Sequence, residues 1–514
     1  MAEASRTFHA TLFSLPTFSP RFHFKLSYSH SHPSLHLKRA RSVQRSISET
    51  KTMSLNTTLP WGCDIDSLEN AEALQNWLSD SGLPPQKVGI NKVEMGKRGL
   101  VALKKINRGE KILFVPPSLL ISSDSDWSSP VAGHVLKQQN VADLPLLATY
   151  LISEANLQKS SRWSNYISSL PREPYSLLHW TRSELDRYLK ASQIRLRAIE
   201  RIADITGFDD LRRRIFSKHP HLFPKEVFNL VTFRWSFGIL LSRLVYLYSM
   251  DGKVALVPWA DMLNHSCEVE TYLNYDKSSQ AVVFTTDRAY QPGEQVFISY
   301  GKKSNAELLL SYGFVPKQGT NLNDSVELPL SLKISDKCYK QKLKALMKHG
   351  LSASSQCYPI QISGWPLELM AYAYLTVSPP SMSKQFEEMA AMASNESIIR
   401  KDLRYPEIEE KAVQFILDSC ESSISKYSKF LKESGSMDLD ITSQEQQNRG
   451  VFLKQLAVDL CTSEQKILYR AQYVKMIQLV HSISKLGLDS HHLFIVLMRM
   501  VPETEEEIEG YEKW

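Results

Sequence analysis

The sequence has no C-x-C or C-x-x-C pair: its six cysteines, Cys63, Cys267, Cys338, Cys357, Cys420 and Cys461, are scattered through 514 residues. That spacing argues against a zinc site and against a disulfide framework. Also missing is any uncharged apolar run near the roughly 20 residues that a membrane-spanning helix needs, so no membrane partner is expected. Acids are almost missing from residues 1 to 48, where seven Lys/Arg stand against Glu3 alone. Those residues therefore carry the whole formal charge of +6, and the rest of the chain holds 54 residues of each sign. A neutral body lacks the field that draws a protein to phosphate backbones, which argues against nucleic acid as a main partner. The run Arg212-Arg213-Arg214 follows Asp209 and Asp210 and reads as a solvated helix face.

What is present begins with the basic segment itself. It contains ten serines and no long apolar core, the composition of an organelle transit peptide. An Arg/Leu amphipathic helix of the mitochondrial kind is weak, so residues 1 to 50 are expected to direct import into the chloroplast stroma. The remaining length allows two or more domains at roughly 100 to 200 residues each.

Leu68, Ala71, Leu74, Trp77 and Leu78 have helical spacing. Short β segments follow: Val88 with Ile90, then Gly99 to Ile106, a turn at Asn107-Arg108-Gly109-Glu110, and Ile112 to Val115, expected to form a hairpin. The plan recurs at Ala281 to Thr286, a turn at Gln291-Pro292-Gly293-Glu294, and Val296 to Tyr300. Between the two β blocks lies helical periodicity over Leu144 to Ile152, Arg182 to Phe216 and Val227 to Tyr248. Beyond about residue 330 strand signals fade, and Leu343 to Met347, Leu367 to Leu375, Ile408 to Phe430 and Glu464 to Leu486 have helical spacing. The acidic run Glu503 to Glu509 reads as a solvated tail.

Three segments carry chemistry. The first is Gly96-Lys97-Arg98-Gly99-Leu100-Val101-Ala102, a glycine-bounded turn entering a strand. The second is Val257-Pro258-Trp259-Ala260-Asp261-Met262-Leu263-Asn264-His265-Ser266. The third is Gly293-Glu294-Gln295-Val296-Phe297-Ile298-Ser299-Tyr300-Gly301, followed by Ser304 to Phe314 with Tyr312 inside it. His265 lacks the neighbours that a metal ligand or general base needs. Arg243 lies on an apolar face, four residues from both Ile239 and Leu247, and an arginine there demands an anion, whether an internal one such as Asp261 or a bound one.

In this order and spacing the three segments resemble the SET-domain lysine methyltransferases, most of all the plant Rubisco large-subunit methyltransferase group. The resemblance implies an α+β fold. A SET domain of short strands would span about 60 to 325, with a helical insert at about 125 to 230, and an all-α substrate-binding domain would span 326 to 514. It implies S-adenosylmethionine as methyl donor, no metal, and a plastid protein carrying the target lysine as partner. No cysteine cluster comes after the tyrosine motif, which fits this group rather than the histone-type enzymes.

Residue by residue, the resemblance makes Tyr300 catalytic and a wall of the lysine channel. It places Gly96, Lys97 and Arg98 on the donor through backbone groups, with Arg243, Asn264 and His265 completing that pocket. Asp261, Tyr272 and Tyr312 would meet the substrate. The tyrosine expected soon after Asn-His-Ser is either Tyr272 or Tyr275. Lys97 stands where many SET enzymes have glycine, and Leu247 where the Rubisco enzymes have a second arginine. The chemistry suits these residue types. A lysine of pKa ~10.4 costs about 4.6 kcal/mol to deprotonate at pH 7, and an apolar aromatic channel lowers that cost. The alternative is a SET-fold docking or assembly subunit of a plastid complex with weak or no catalysis.

Overall fold

The computed structural model describes residues 59–63, 67–94, 97–203, 205, 208–394, 405–435 and 444–484, with side chains of the last helix over 449–473. The segment read as a transit peptide, Gly96 and the acidic tail lie outside the described residues. The chain divides into two compact units. The first holds the chain up to Lys190, Ile194–Asn323 and Arg449–Leu456; the second holds Ala191–Gln193, Asp324–Asn448 and the chain from Ala457.

The first unit opens with the helix Leu68–Asp80, capped by the Ser67 hydroxyl and burying Ala71, Leu74 and Leu78, as their spacing demands. Strands β1 (Val88–Lys92) and β2 (Arg98–Ala102) then pair antiparallel. The expected hairpin between β2 and the next strand does not form. Instead β3 (Lys111–Val115) pairs with β9 (Ala281–Thr285), and β9 with β8 (Asn274–Asp276). The two look-alike β blocks are partners: Val101 bridges Gln295, Ile106 bridges Tyr290, and β3 lies on β9. Each turn is closed locally, Glu110 accepting from the Asn107 N–H and Glu294 from the Gln291 N–H. The turns therefore hold without the hairpins that sequence proximity implied.

A third small sheet joins β4 (Ile121–Ser122), β6 (Lys253–Leu256) and β5 (Leu244–Leu247) in that order, antiparallel throughout. Two further residue pairs form the parallel contact of β7 (Asn264–His265) with β10 (Phe297–Ile298). The insert is helical, with Asp143–Asn156 packed on Leu230–Arg243. The charged stretch from Arg182 is three short helices, Arg182–Tyr188, Ile194–Ala203 and Phe208–Arg214, rather than one. Arg212 and Arg214 pair with Asp209 and Asp210 on an exposed face. The helix read as running to Tyr248 ends at Arg243, and Leu247 belongs to β5. Val245 and Tyr246, β-favouring side chains, pair with β6 there.

Among the described residues the second unit is helical except for one antiparallel pair, β11 (Ser325–Leu330) with β12 (Gln356–Gln361). Pro329 and Pro359 lie in these strands, which is tolerable in a two-stranded sheet where both strands are edges and which erased their strand signal in the sequence. Tyr339–Lys348, Leu367–Val377, Glu409–Ser434 and the long helix Gln444–Ser484 supply the helices expected after residue 330.

Candidate active site

The second motif reaches the site through a strained turn. Trp259 is fully buried and has φ +80°, ψ −56°, a γ-turn conformation costly for a bulky side chain and held only by its surroundings. The turn leads into Ala260–Met262, and Asp261 enters the core with only 4% of its side chain exposed. Arg243, at the C-terminus of the helix Leu230–Arg243, donates from Nη1 to the Asp261 carbonyl at 2.9 Å and lies 3.4 Å from its Oδ2. A cation there also suits the negative end of the helix. Tyr166 donates its hydroxyl to the same Oδ2 at 2.8 Å. Burial opposes the Arg243 charge, but Asp261, Tyr166 and Tyr300 outweigh it and raise its pKa. Arg243 Nε and Asp261 Oδ1 are buried and, among the described residues, have no hydrogen-bond partner.

Next in the chain, Asn264 donates from Nδ2 to the Arg98 carbonyl at 3.0 Å. A Cβ on Gly99 would come within 2.9 Å of that Nδ2 and 2.7 Å of Gln295 Nε2, so any larger residue there would displace the two side-chain amides. The Arg98 side chain turns the other way, onto the carbonyls of Ser169 and Ser67 at 2.5 and 3.4 Å. Its backbone alone faces Asn264, as a backbone role requires. Lys97 is exposed.

The His265 ring accepts the Tyr300 backbone N–H on Nδ1 at 3.1 Å. The same nitrogen lies 3.3 Å from the Ile298 carbonyl oxygen, and Nε2 lies 3.4 Å from Cys267 Sγ. Burial holds the imidazole below its ordinary pKa. Tyr300 stacks on Tyr312 with centroids 4.5 Å apart and on His265 at 5.1 Å, and Phe314 closes the group edge-on at 6.5 Å. The Tyr300 hydroxyl donates to the Leu263 carbonyl at 2.8 Å. Burial pushes its pKa up to about 12 and raises that of Tyr312 further.

Direct contacts thus join Arg243 with Asp261, Asn264 with Arg98, and Tyr300 with His265 and Tyr312, and Arg243 and Asp261 act electrostatically on Arg98 and Tyr300. Tyr272 is 60% exposed and makes no ring contact with this group, whereas Tyr275 is partly buried against the core. Three participants escaped the sequence reading: Tyr166, the Leu263 carbonyl and Phe314. Leu263 and Phe314 sit in quoted motifs without a role assigned to them, and nothing in the sequence marks Tyr166. No three His, Cys, Asp or Glu side chains are placed to hold a metal among the described residues, nor is any described helix long and apolar enough to cross a membrane.

Short strands in small sheets, split by a helical insert and converging on a half-buried Asn-His and a stacked tyrosine pair, define a SET-type protein. Residues 97–301 match the SET domain model, and residues 333–468 match the Rubisco LSMT substrate-binding model. The chain is 31% identical over 365 residues to the chloroplastic ribulose-1,5-bisphosphate carboxylase/oxygenase large subunit N-methyltransferase of Pisum sativum, covering 67% of this chain and 70% of that one. It is 27% identical over 315 residues to the actin-histidine N-methyltransferase of Xenopus tropicalis, covering 59% of this chain and 53% of that one. A crystal structure of the SET domain of LSMT bound to lysine and AdoHcy superposes with a TM-score of 0.61 at 24% identity, covering 87% of this chain and all of that one. The chain belongs to the Rubisco large-subunit methyltransferase family of SET-domain proteins, S-adenosylmethionine-dependent protein-lysine methyltransferases.

Proposed function

We propose that this protein methylates a lysine side chain of a stromal plastid protein with S-adenosylmethionine as donor. One observation carries the reading: Arg243 Nε and Asp261 Oδ1, a buried donor and a buried acceptor without partners among the described residues, lie on the residue pair that adjoins the Asn264–His265 strand. Unsatisfied buried polar atoms are costly unless a ligand takes them, and a cationic donor beside a carboxylate acceptor matches a zwitterion and an amine.

When bound, S-adenosylmethionine supplies an electrophilic methyl group. The residues of this chain hold and orient. Arg243 pairs with the donor carboxylate, while Asn264 and the backbone around Lys97 and Arg98 accommodate the rest of the donor. Asp261 accepts from the substrate nitrogen. Tyr312 and Phe314 form an apolar wall that disfavours the charged amine by desolvation. Tyr300 keeps its proton, with a pKa near 12, so it aligns rather than deprotonates. The second unit, matched by the substrate-binding model over residues 333–468, docks the protein substrate.

The test incubates purified protein with methyl-labelled donor and stromal extract, identifies the modified residue by mass spectrometry, and follows kcat/KM with pH. A lysine target predicts a rise of about tenfold per pH unit from 7 to 9, because the neutral amine fraction grows that way below a pKa of ~10.4. The actin-histidine relative favours a second reading, a histidine target, for which the profile is flat above about pH 7.5 because imidazole is already neutral. Lys303, whose burial lowers its pKa, acts on His265 electrostatically, so the profile is repeated with Lys303→Gln. Donor binding without labelling of any polypeptide would establish the assembly subunit instead.

A further inference from the structure

Tyr166 lies 95 residues before Asp261 in sequence, in the helical insert, on the short helix Ser164–Ser169. Its side chain is fully buried, and among the described residues its hydroxyl makes one hydrogen bond, to Asp261 Oδ2. That oxygen is also the one nearest Arg243. The phenol therefore divides the carboxylate into two halves: Oδ2 is taken by Tyr166 and Arg243, and Oδ1 is left without a partner among the described residues. A carboxylate beside a guanidinium otherwise turns both oxygens onto the fork, since the bidentate pair is the stronger arrangement. In that arrangement Arg243 Nε is drawn onto Asp261.

We propose that Tyr166 is a positioning residue for methyl transfer: by holding Asp261 Oδ2 it keeps Asp261 Oδ1 and Arg243 Nε open for the ligands of the site. Burial and the neighbouring carboxylate hold the phenol's pKa well above its ordinary value, so it remains a donor across the working pH range. The same helix braces the other half of the pocket. Ser169 donates from Oγ to the Tyr166 carbonyl at 2.6 Å, and its own carbonyl takes the Arg98 guanidinium, whose residue presents its carbonyl to Asn264. A shift of this helix therefore reaches Arg243 and Asn264 together.

This inference rests on the proposed donor site. Its experiment measures donor Kd by calorimetry, and donor KM and kcat with labelled donor, for the full chain and for Tyr166→Phe. Phenylalanine keeps the ring and removes the hydroxyl; donor Kd and KM rise about tenfold, the scale of one charge-assisted contact, while kcat at saturating donor falls less than threefold. Tyr358→Phe is the control. Tyr358 is also buried, and its hydroxyl donates to the Ala393 carbonyl at 3.0 Å within the second unit. It loses stability but keeps donor KM. In an Asp261→Asn background, Tyr166→Phe adds nothing further to donor KM, because the effect travels through that carboxylate. Incorporating 3-fluorotyrosine at position 166 keeps hydroxyl and ring and holds donor KM within twofold of the unaltered protein, which reads the idea even where phenylalanine does not fold. Wild-type donor KM in Tyr166→Phe, an equal rise in Tyr358→Phe, additivity with Asp261→Asn, or a tenfold loss with 3-fluorotyrosine each overturns the inference. Wild-type protein that binds no donor overturns the proposed function, and the positioning role falls with it.

Discussion

A phenol whose pKa stands near 12 does not act as a base in neutral solution, so what Tyr300 contributes must come from where its ring and hydroxyl sit. The ring is clamped between Tyr312 and His265 and the hydroxyl is tied to Leu263, the residue before Asn264. Removing that hydroxyl in Tyr300→Phe costs about 1 kcal/mol of stability but on the order of 100-fold in turnover, as misaligned reacting groups do. Donor affinity measured by calorimetry stays within about threefold. Arg243 fails differently. Arg243→Ala strips buried Asp261 of its counter-ion, a loss on the order of 3–5 kcal/mol, and confounds folding with binding. Arg243→Lys keeps the charge and loses the planar fork; donor Kd rises about tenfold while kcat at saturation changes little. Parallel losses of Kd and kcat in the two variants would contradict the separate roles.

The helix Leu230–Arg243 delivers Arg243, and its placement depends on one small residue. Asn229 and Thr232 form a reciprocal cap at its start, and Gly238 lies in mid-helix against the half-buried ring of His179. A Cβ at Gly238 would stand 2.1 Å from His179 Cε1. Ser176 holds that ring at Nδ1 from 3.1 Å, and burial with Arg234 and Arg449 nearby lowers its pKa to about 3, so it is a neutral, fixed obstacle. Gly238→Ala therefore destabilises the protein by about 1–3 kcal/mol as overpacking does, seen as a lowered Tm, and weakens donor binding through Arg243. His179→Ala restores both in the Gly238→Ala background; a failure of that rescue would place the strain elsewhere.

Elements were legible where a period of 3.6 or 2 was kept, as in Leu68–Asp80 and Leu367–Val377. Their partnerships were not, because β3 pairs across 166 or more residues with β9 and a two-residue contact such as β7 with β10 leaves no periodic trace. The site divides likewise. Asn264, His265 and Tyr300 announced themselves by motif, and the Arg243–Asp261 pairing was weighed from apolar spacing. Tyr166 reads in sequence as one more apolar-face aromatic, since a hydroxyl's partner 95 residues away is a property of the folded core.

On the scale of the whole molecule, charge is distributed so that location and chemistry separate. All the net charge of +6 resides in residues 1 to 48, and the remainder of the chain is balanced. If that segment addresses the protein to plastids and is then removed, the mature body meets its substrate without a long-range field of either sign, and recognition rests on contact with the docking unit. One deletion separates the two roles. A fluorescent fusion carrying residues 1 to 60 enters plastids, whereas the chain lacking residues 1 to 50 remains in the cytosol. That shortened chain binds the donor as the full chain does, because every described residue proposed to hold the donor lies at Lys97 or beyond. It also loses any salt-sensitive retention on anionic resin or DNA that the full chain shows, since exchange with condensed counterions depends on clustered positive charge. Retention of the shortened chain with an unchanged salt slope would mean that a basic surface exists within the neutral body, and the argument against a nucleic-acid partner would fail with it.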